Sequence, residues 1–197
     1  AERAVIDDLA IKAYFTGKFT RNLYAFDEVN LFWDEDGYNI IGSGNGSLIS
    51  YNRMRTPDIA QRNYIRTDIG INKVWSNRWE AQFNYSYTVS RGTVQDNPSF
   101  FLTVPQQVDF FVGRYLGTDI THDITGGFSW DLPTDPWTTR LGATLFAESG
   151  YPISRTYNNG NYGDYGRGFI YKDTVGSYAR SAMWYELNIL VQQSIPV

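Results

Sequence analysis

Asp34, Glu35 and Asp36 stand directly before Gly37 and form the densest run of hard oxygen donors in the chain. Ca²⁺ gathers about six to eight such oxygens. The spaced donor pattern of a calcium loop is absent, so the segment reads as a solvated acidic loop and no metal site is expected. His122 is the one histidine, with Asp119 three residues earlier. On an extended strand residues three apart point to opposite faces, so the two do not make a general-base dyad, and His122 reads as structural. With no cysteine and one histidine, thiolate sites, His-based zinc sites and Ser-His-Asp triads have little to work with. Neither an enzyme nor a cofactor is expected. A different chemistry is available around Tyr157, Asn158, Asn159, Tyr162 and Tyr165, in the run RTYNNGNYGDYGRG. Tyrosine offers rigid contact area, while Asn and Gly offer adaptable hydrogen bonding. This is the candidate ligand-contacting loop, suited to a peptide or a glycan; the plain alternative is a loop that only covers what lies beneath it.

A second set of charges is spread rather than clustered. Arg66, Asp68, Glu80, Asp123, Asp131, Arg140, Glu148 and Glu186 fall on the polar side of alternating runs. They are expected to pair across strands, or to line a path or contact an inserted domain. The clearest run is Trp79–Ser90. Trp79, Ala81, Phe83, Tyr85, Tyr87 and Val89 are apolar or aromatic, and every residue between them is polar. That period of two belongs to a β-strand with two unlike faces. Its length suits a tilted crossing of a bilayer better than a strand of a soluble sheet, where about five or six residues is usual.

Similar runs occur at Leu9–Thr16, Tyr64–Trp75, Asp119–Leu132, Thr138–Gly150 and Met183–Gln193, with Phe146, Trp184 and Leu190 as apolar misfits on polar faces. Short connections, about 76–78 and 133–137, alternate with long ones, about 22–63, 91–118 and 151–182. Short turns join antiparallel neighbours, so all long loops fall at one end of the sheet. Trp75, Trp79, Trp130 and Trp137 flank the short turns, as an aromatic girdle does at the headgroup level. The mean hydropathy of -0.39 does not oppose this, because barrel strands alternate and are never hydrophobic on average. No apolar window is long enough for a membrane-spanning helix. The net charge of -4 and pI near 5.0 argue against nucleic acid as a partner. The expected fold is all-β, an antiparallel transmembrane β-barrel segment of about six strands. Closed barrels begin at about eight strands, so the segment belongs to a larger barrel or assembles with other chains. The opening AERAVIDDLA and the ending QQSIPV both read as cut from something longer. A soluble β-rich binding domain is the weaker alternative.

Four runs, WSNRWEAQFNYSYTVSRG, DITHDITGGFSWDLP, LGATLFAESGYPIS and YARSAMWYELNI, resemble the C-terminal barrel region of TonB-dependent outer-membrane receptors. The Oar-like branch looks most similar, with TRNLYAFDEVNLFWDEDG as a further upstream likeness. The motif residues are the Asp119…His122 pair, Leu132-Pro133, Ser149-Gly150-Tyr151-Pro152 and Arg180. The resemblance implies a barrel of 22 strands with an N-terminal plug and TonB box that this chain does not contain. It implies location in the outer membrane of a Gram-negative bacterium, contact with its lipid, and coupling to TonB through the plug. The expected function is a segment of a receptor that moves a bulky substrate across the outer membrane. The alternative is a structural or docking platform for a surface protein or an envelope complex.

Overall fold

The computed structural model describes residues 2–33, 40–49, 51–93, 101–102, 112–134, 136–158 and 169–195. Seven strands form one antiparallel sheet in sequence order: β1 (Glu2–Ile6), β2 (Leu9–Thr20), β3 (Arg62–Ser76), β4 (Trp79–Gly92), β5 (His122–Thr134), β6 (Trp137–Glu148) and β7 (Trp184–Ser194). A two-residue piece, Arg114–Tyr115, adds to the end of β4. Among the described residues nothing pairs β1 with β7, so the sheet is open. The expectation of about six strands is one short. The chain reverses at Asp7-Asp8 and lays Glu2–Ile6 against β2; five residues headed by two charges are too short to show an alternation of their own. The long connections are also less irregular than expected. They carry small hairpins, including Ala25–Glu28 with Asn52–Arg55, Leu31–Trp33 with Ile40–Ser43, and Pro152–Ile153 with Ala179–Arg180.

Cross-strand register turns the sequence alternation into two faces. One row runs Ile11, Ile71, Phe83, Gly126, Leu145 and Leu187 across six strands. The row beside it on the opposite face runs Lys12, Gly70, Asn84, Thr125, Phe146 and Glu186. In an all-antiparallel sheet a one-residue slip would exchange the two faces, so the uniform apolar row fixes the register. The apolar misfits also have partners. Phe146 packs on Trp184 with ring centroids 4.7 Å apart. Leu190 lies over Gly142, where a Cβ would approach the Leu190 Cβ to 3.3 Å.

Among the described residues nothing forms a second layer on the apolar face. The buried apolar residues among them are Ala25, Ala60, Leu116 and Val175, and all four lie in the long connections rather than in the sheet. On the sheet Phe15 is 71% exposed, Leu187 59% and Ile189 72%.

The turn between β3 and β4 places Asn77 and Arg78 at positive φ, 50° and 71°. Two such residues make the hairpin turn whose twist matches that of the flanking strands. Just before it lies a bulge: Lys73 faces Ala81 and Ser76 faces Trp79, so Val74 and Trp75 share the place opposite Glu80. Bulges re-aim side chains, and this one returns Ser76 to the apolar face opposite Trp79. Lys73, in step with Ile69 and Ile71 before the bulge, is buried on the same face, with its ammonium 4.7 Å from the centre of the Trp79 ring. It pairs with Asp8 at 2.8 Å, and Ser76 Oγ bonds to both partners.

The Asp8 carboxyl, in the β1–β2 turn, is held below its ordinary value of 3.8, first by the hydrogen bond from Lys73 and then by that from Ser76. A carboxyl with a lowered native pKa stabilises the fold above its unfolded value and loses that contribution as pH falls through the native value. The unfolding midpoint of Asp8→Asn should therefore lie below that of the wild type at neutral pH. The gap should stay constant down to about pH 4 and close below it. Denaturant titrations across that range check this.

Candidate functional site

The strands present their polar residues in rows on a shared face. At the level of Glu80 this face carries Ser129, Gly142 and Leu190; at the level of Gln82 it carries Asn72, Gly127, Thr144 and Asn188. Gly127 and Gly142 have no side chain to fill the surface, and strand glycines often mark a place where something else approaches the backbone. The result is a trough of about 780 Å³ bordered by Trp75, Glu80, Gln82, Asn188 and Leu190. The trough offers hydrogen-bonding groups of both kinds, two apolar walls and one carboxylate. It is suited to holding a polypeptide segment or a polar ligand.

Charges on this face pair in two ways, once along a strand and once across strands. Arg66 meets Asp68, two residues on in the same strand, at 2.6 Å, and both contact Ser86 Oγ on the neighbouring strand. Arg140 holds Asp131 through two hydrogen bonds of 2.7 and 3.0 Å. Asp123 differs: its Oδ1 is buried with no hydrogen-bond partner among the described residues, beside a smaller pocket of about 220 Å³ shared with Tyr14, Arg66, Asp68, Asn84 and Ser86. Among the described residues no three His, Asp or Glu side chains converge as metal ligands would.

The four tryptophans divide. Trp79 and Trp130 are direct cross-strand partners on the apolar face, and the register puts Trp137 on the same face through its partner Thr134. Trp75 does not join them. The bulge turns it to the polar face, where its ring lies 5.2 Å from the Arg140 guanidinium. Its assignment to the girdle is thus corrected: strict alternation fails at the extra residue. At the other end of the apolar face a second aromatic group forms. His122 accepts or donates a 2.8 Å hydrogen bond with Tyr85 Oη, and the Tyr87 ring lies 5.5 Å away.

The motif residues at the long-loop end converge. Asp119 is fully buried; it accepts from the Ser90 backbone N–H and from Arg180. Arg180 Nη1 also donates to the carbonyls of Asp119 at 2.9 Å and Gly150 at 3.0 Å. Ser149 exchanges backbone and side-chain bonds with His122. Ser181 exchanges bonds with Tyr151. Gly150 must be glycine, because a Cβ there would lie 1.8 Å from the Ser181 carbonyl oxygen. Asp119 and His122 serve separate contacts and form no dyad. The clamp joins segments 61 residues apart, a contact that motif order in the sequence does not reveal.

Of the candidate ligand loop, Tyr157 and Asn158 belong to a short strand, Thr156–Asn158, paired with Phe169–Tyr171. Asn159, Tyr162 and Tyr165 lie outside the described residues, as do Asp34, Glu35 and Asp36. Comparisons with protein-family models, curated proteins and solved structures each return no match.

Arg180→Met should leave the Asp119 carboxylate buried and uncompensated. The expected loss is about 2–3 kcal/mol, below that of a fully buried pair because Arg180 is partly hydrated. Unfolding titrations give the size, and faster proteolytic nicking within 149–183 gives the location. Gly150→Ala should cost a similar amount through steric clash, about 1–3 kcal/mol, with the same nicking pattern.

Proposed function

We propose that the chain is a segment of a TonB-dependent, Oar-like receptor barrel that moves a bulky substrate across the bacterial outer membrane. The observation that carries this reading is the uncovered apolar face of a one-layer sheet with long strands. In water such a face demands a second layer, whereas lipid needs none. The apolar rows between the Trp79–Trp130 pair and the Tyr87–His122 group then form the lipid-facing band. The short turns point to the periplasm and the long loops to the cell exterior, as in bacterial barrels. The polar face lines the lumen of a larger barrel, of 22 strands in the family resembled. The trough there is suited to contact with the plug of the parent protein, through which TonB would act. The loop layer tied by Asp119 and Arg180 gives the alternative, a docking platform for a surface protein or envelope complex, a structural basis of its own. Loss of substrate uptake with assembly intact on loop deletion supports transport; loss of a copurifying partner supports the platform.

The membrane reading has a direct test. Leu145→Arg lies in the middle of the apolar band, as its row partner Phe83 does. In a bilayer a midplane arginine should cost about 2–4 kcal/mol. On a water-exposed face the same change stays within about 0.5 kcal/mol. Unfolding of the full-length protein in lipid vesicles measures the difference, and a near-zero value would overturn the proposal.

A further inference from the structure

The apolar face ends, on the long-loop side, in a row of different chemistry. Phe19, Asn63, Arg91 and Tyr115 are successive cross-strand partners there. Arg21 reaches into the row and donates to Asn63 Oδ1 at 2.7 Å. Arg91 donates to Tyr115 Oη, with its guanidinium 4.0 Å from the centre of that ring. Both arginines are exposed, and among the described residues their hydrogen-bond partners are neutral oxygens. No Asp or Glu stands on this face in β2 to β7, as the register and sequence together show. The contrast with the short-turn end is direct, because there the outward Lys73 has its carboxylate, Asp8. Arg180, close to Tyr115, is likewise neutralised by Asp119.

The height of the row matters. Arg91 lies on the strand and face of Trp79, twelve positions further on. At about 3.4 Å per residue and a tilt of about 45°, that is about 29 Å along the membrane normal. The apolar band of an outer-membrane barrel is about 25 Å tall. The guanidiniums therefore sit just above the band, where headgroups begin. Arginine forks match phosphate oxygens in pairs.

We infer that Arg21 and Arg91, spaced by Asn63 and backed by Tyr115, form a binding site for the phosphate group of an anionic lipid headgroup in the loop-side leaflet. The inference rests on the membrane reading above. The two arginines neutralise phosphate charge in a region of lowered dielectric, and Tyr87, four positions below Arg91 on the same strand face, contacts the acyl chains.

The test uses the full-length protein in phosphatidylcholine bilayers with and without phosphatidic acid. Heat-modifiable migration reports insertion, and native mass spectrometry counts retained phosphatidic acid. Wild type should retain it in preference to phosphatidylcholine. Arg21→Gln and Arg91→Gln should each insert normally and weaken retention about fivefold, and the double variant about thirtyfold. Equal retention by inserted wild type and double variant overturns the inference while leaving the membrane reading in place. Failure of the wild type to insert overturns both. Inorganic phosphate that binds the arginines and fails to compete with the lipid overturns the headgroup assignment, as does a lipid preference that the double variant keeps.

Discussion

A sheet face with nothing packed on it is a demand on the surroundings. The apolar rows of this sheet cover six strands, while the buried apolar residues sit elsewhere, in the loop layer. Burial of apolar area is the main favourable term in folding, so this face must meet either lipid or another apolar surface. The remaining features follow from that demand. In the proposed membrane setting the strands are long because they would cross a layer of set thickness, and the connections at one end need be no longer than a turn. Aromatic and cationic groups gather where apolar rows give way to polar surroundings. Lys73 shows how a charge is tolerated at that boundary: Asp8 and Ser76 hold its ammonium while Trp79 covers it.

The opposite face obeys a second rule, that buried or half-buried polar groups are hydrogen-bonded. Arg140–Asp131 and Arg66–Asp68 satisfy it within the sheet. Asp123 Oδ1 and the glycine-floored trough do not complete themselves. In the proposed barrel, an inserted element would supply the groups missing from such gaps.

Much of the sheet was legible in the sequence because alternation and register are the same fact seen along and across strands. The clean run from Trp79 to Ser90 maps directly onto two faces. Trp75 was misread because a bulge is set by hydrogen bonding between strands, and Val74 carries no mark of being the extra residue. Phe146, Trp184 and Leu190 showed only as exceptions, since their reasons are each other and Gly142, far away in the chain. Glu2–Ile6 was missed because its pairing with β2, rather than its own pattern, makes it a strand. At the loop end, Asp119, Gly150 and Arg180 were visible as a series of spaced residues. That they meet in one clamp depends on long-range closure, which no local periodicity encodes.

The direction of the two edge strands carries one more consequence. β1 and β7 both run towards the short-turn end, since each strand reverses its predecessor and there are seven. A ring held only by antiparallel pairs contains an even number of strands. Whatever completes this sheet as such a ring must bring an odd number, with its own first and last strands running towards the loops. Two copies of this chain, with their loops on one side, would place β7 beside β1 in parallel at each seam. The edges are thus selective by polarity before any side chain is compared, and they favour a complementary piece over a twin.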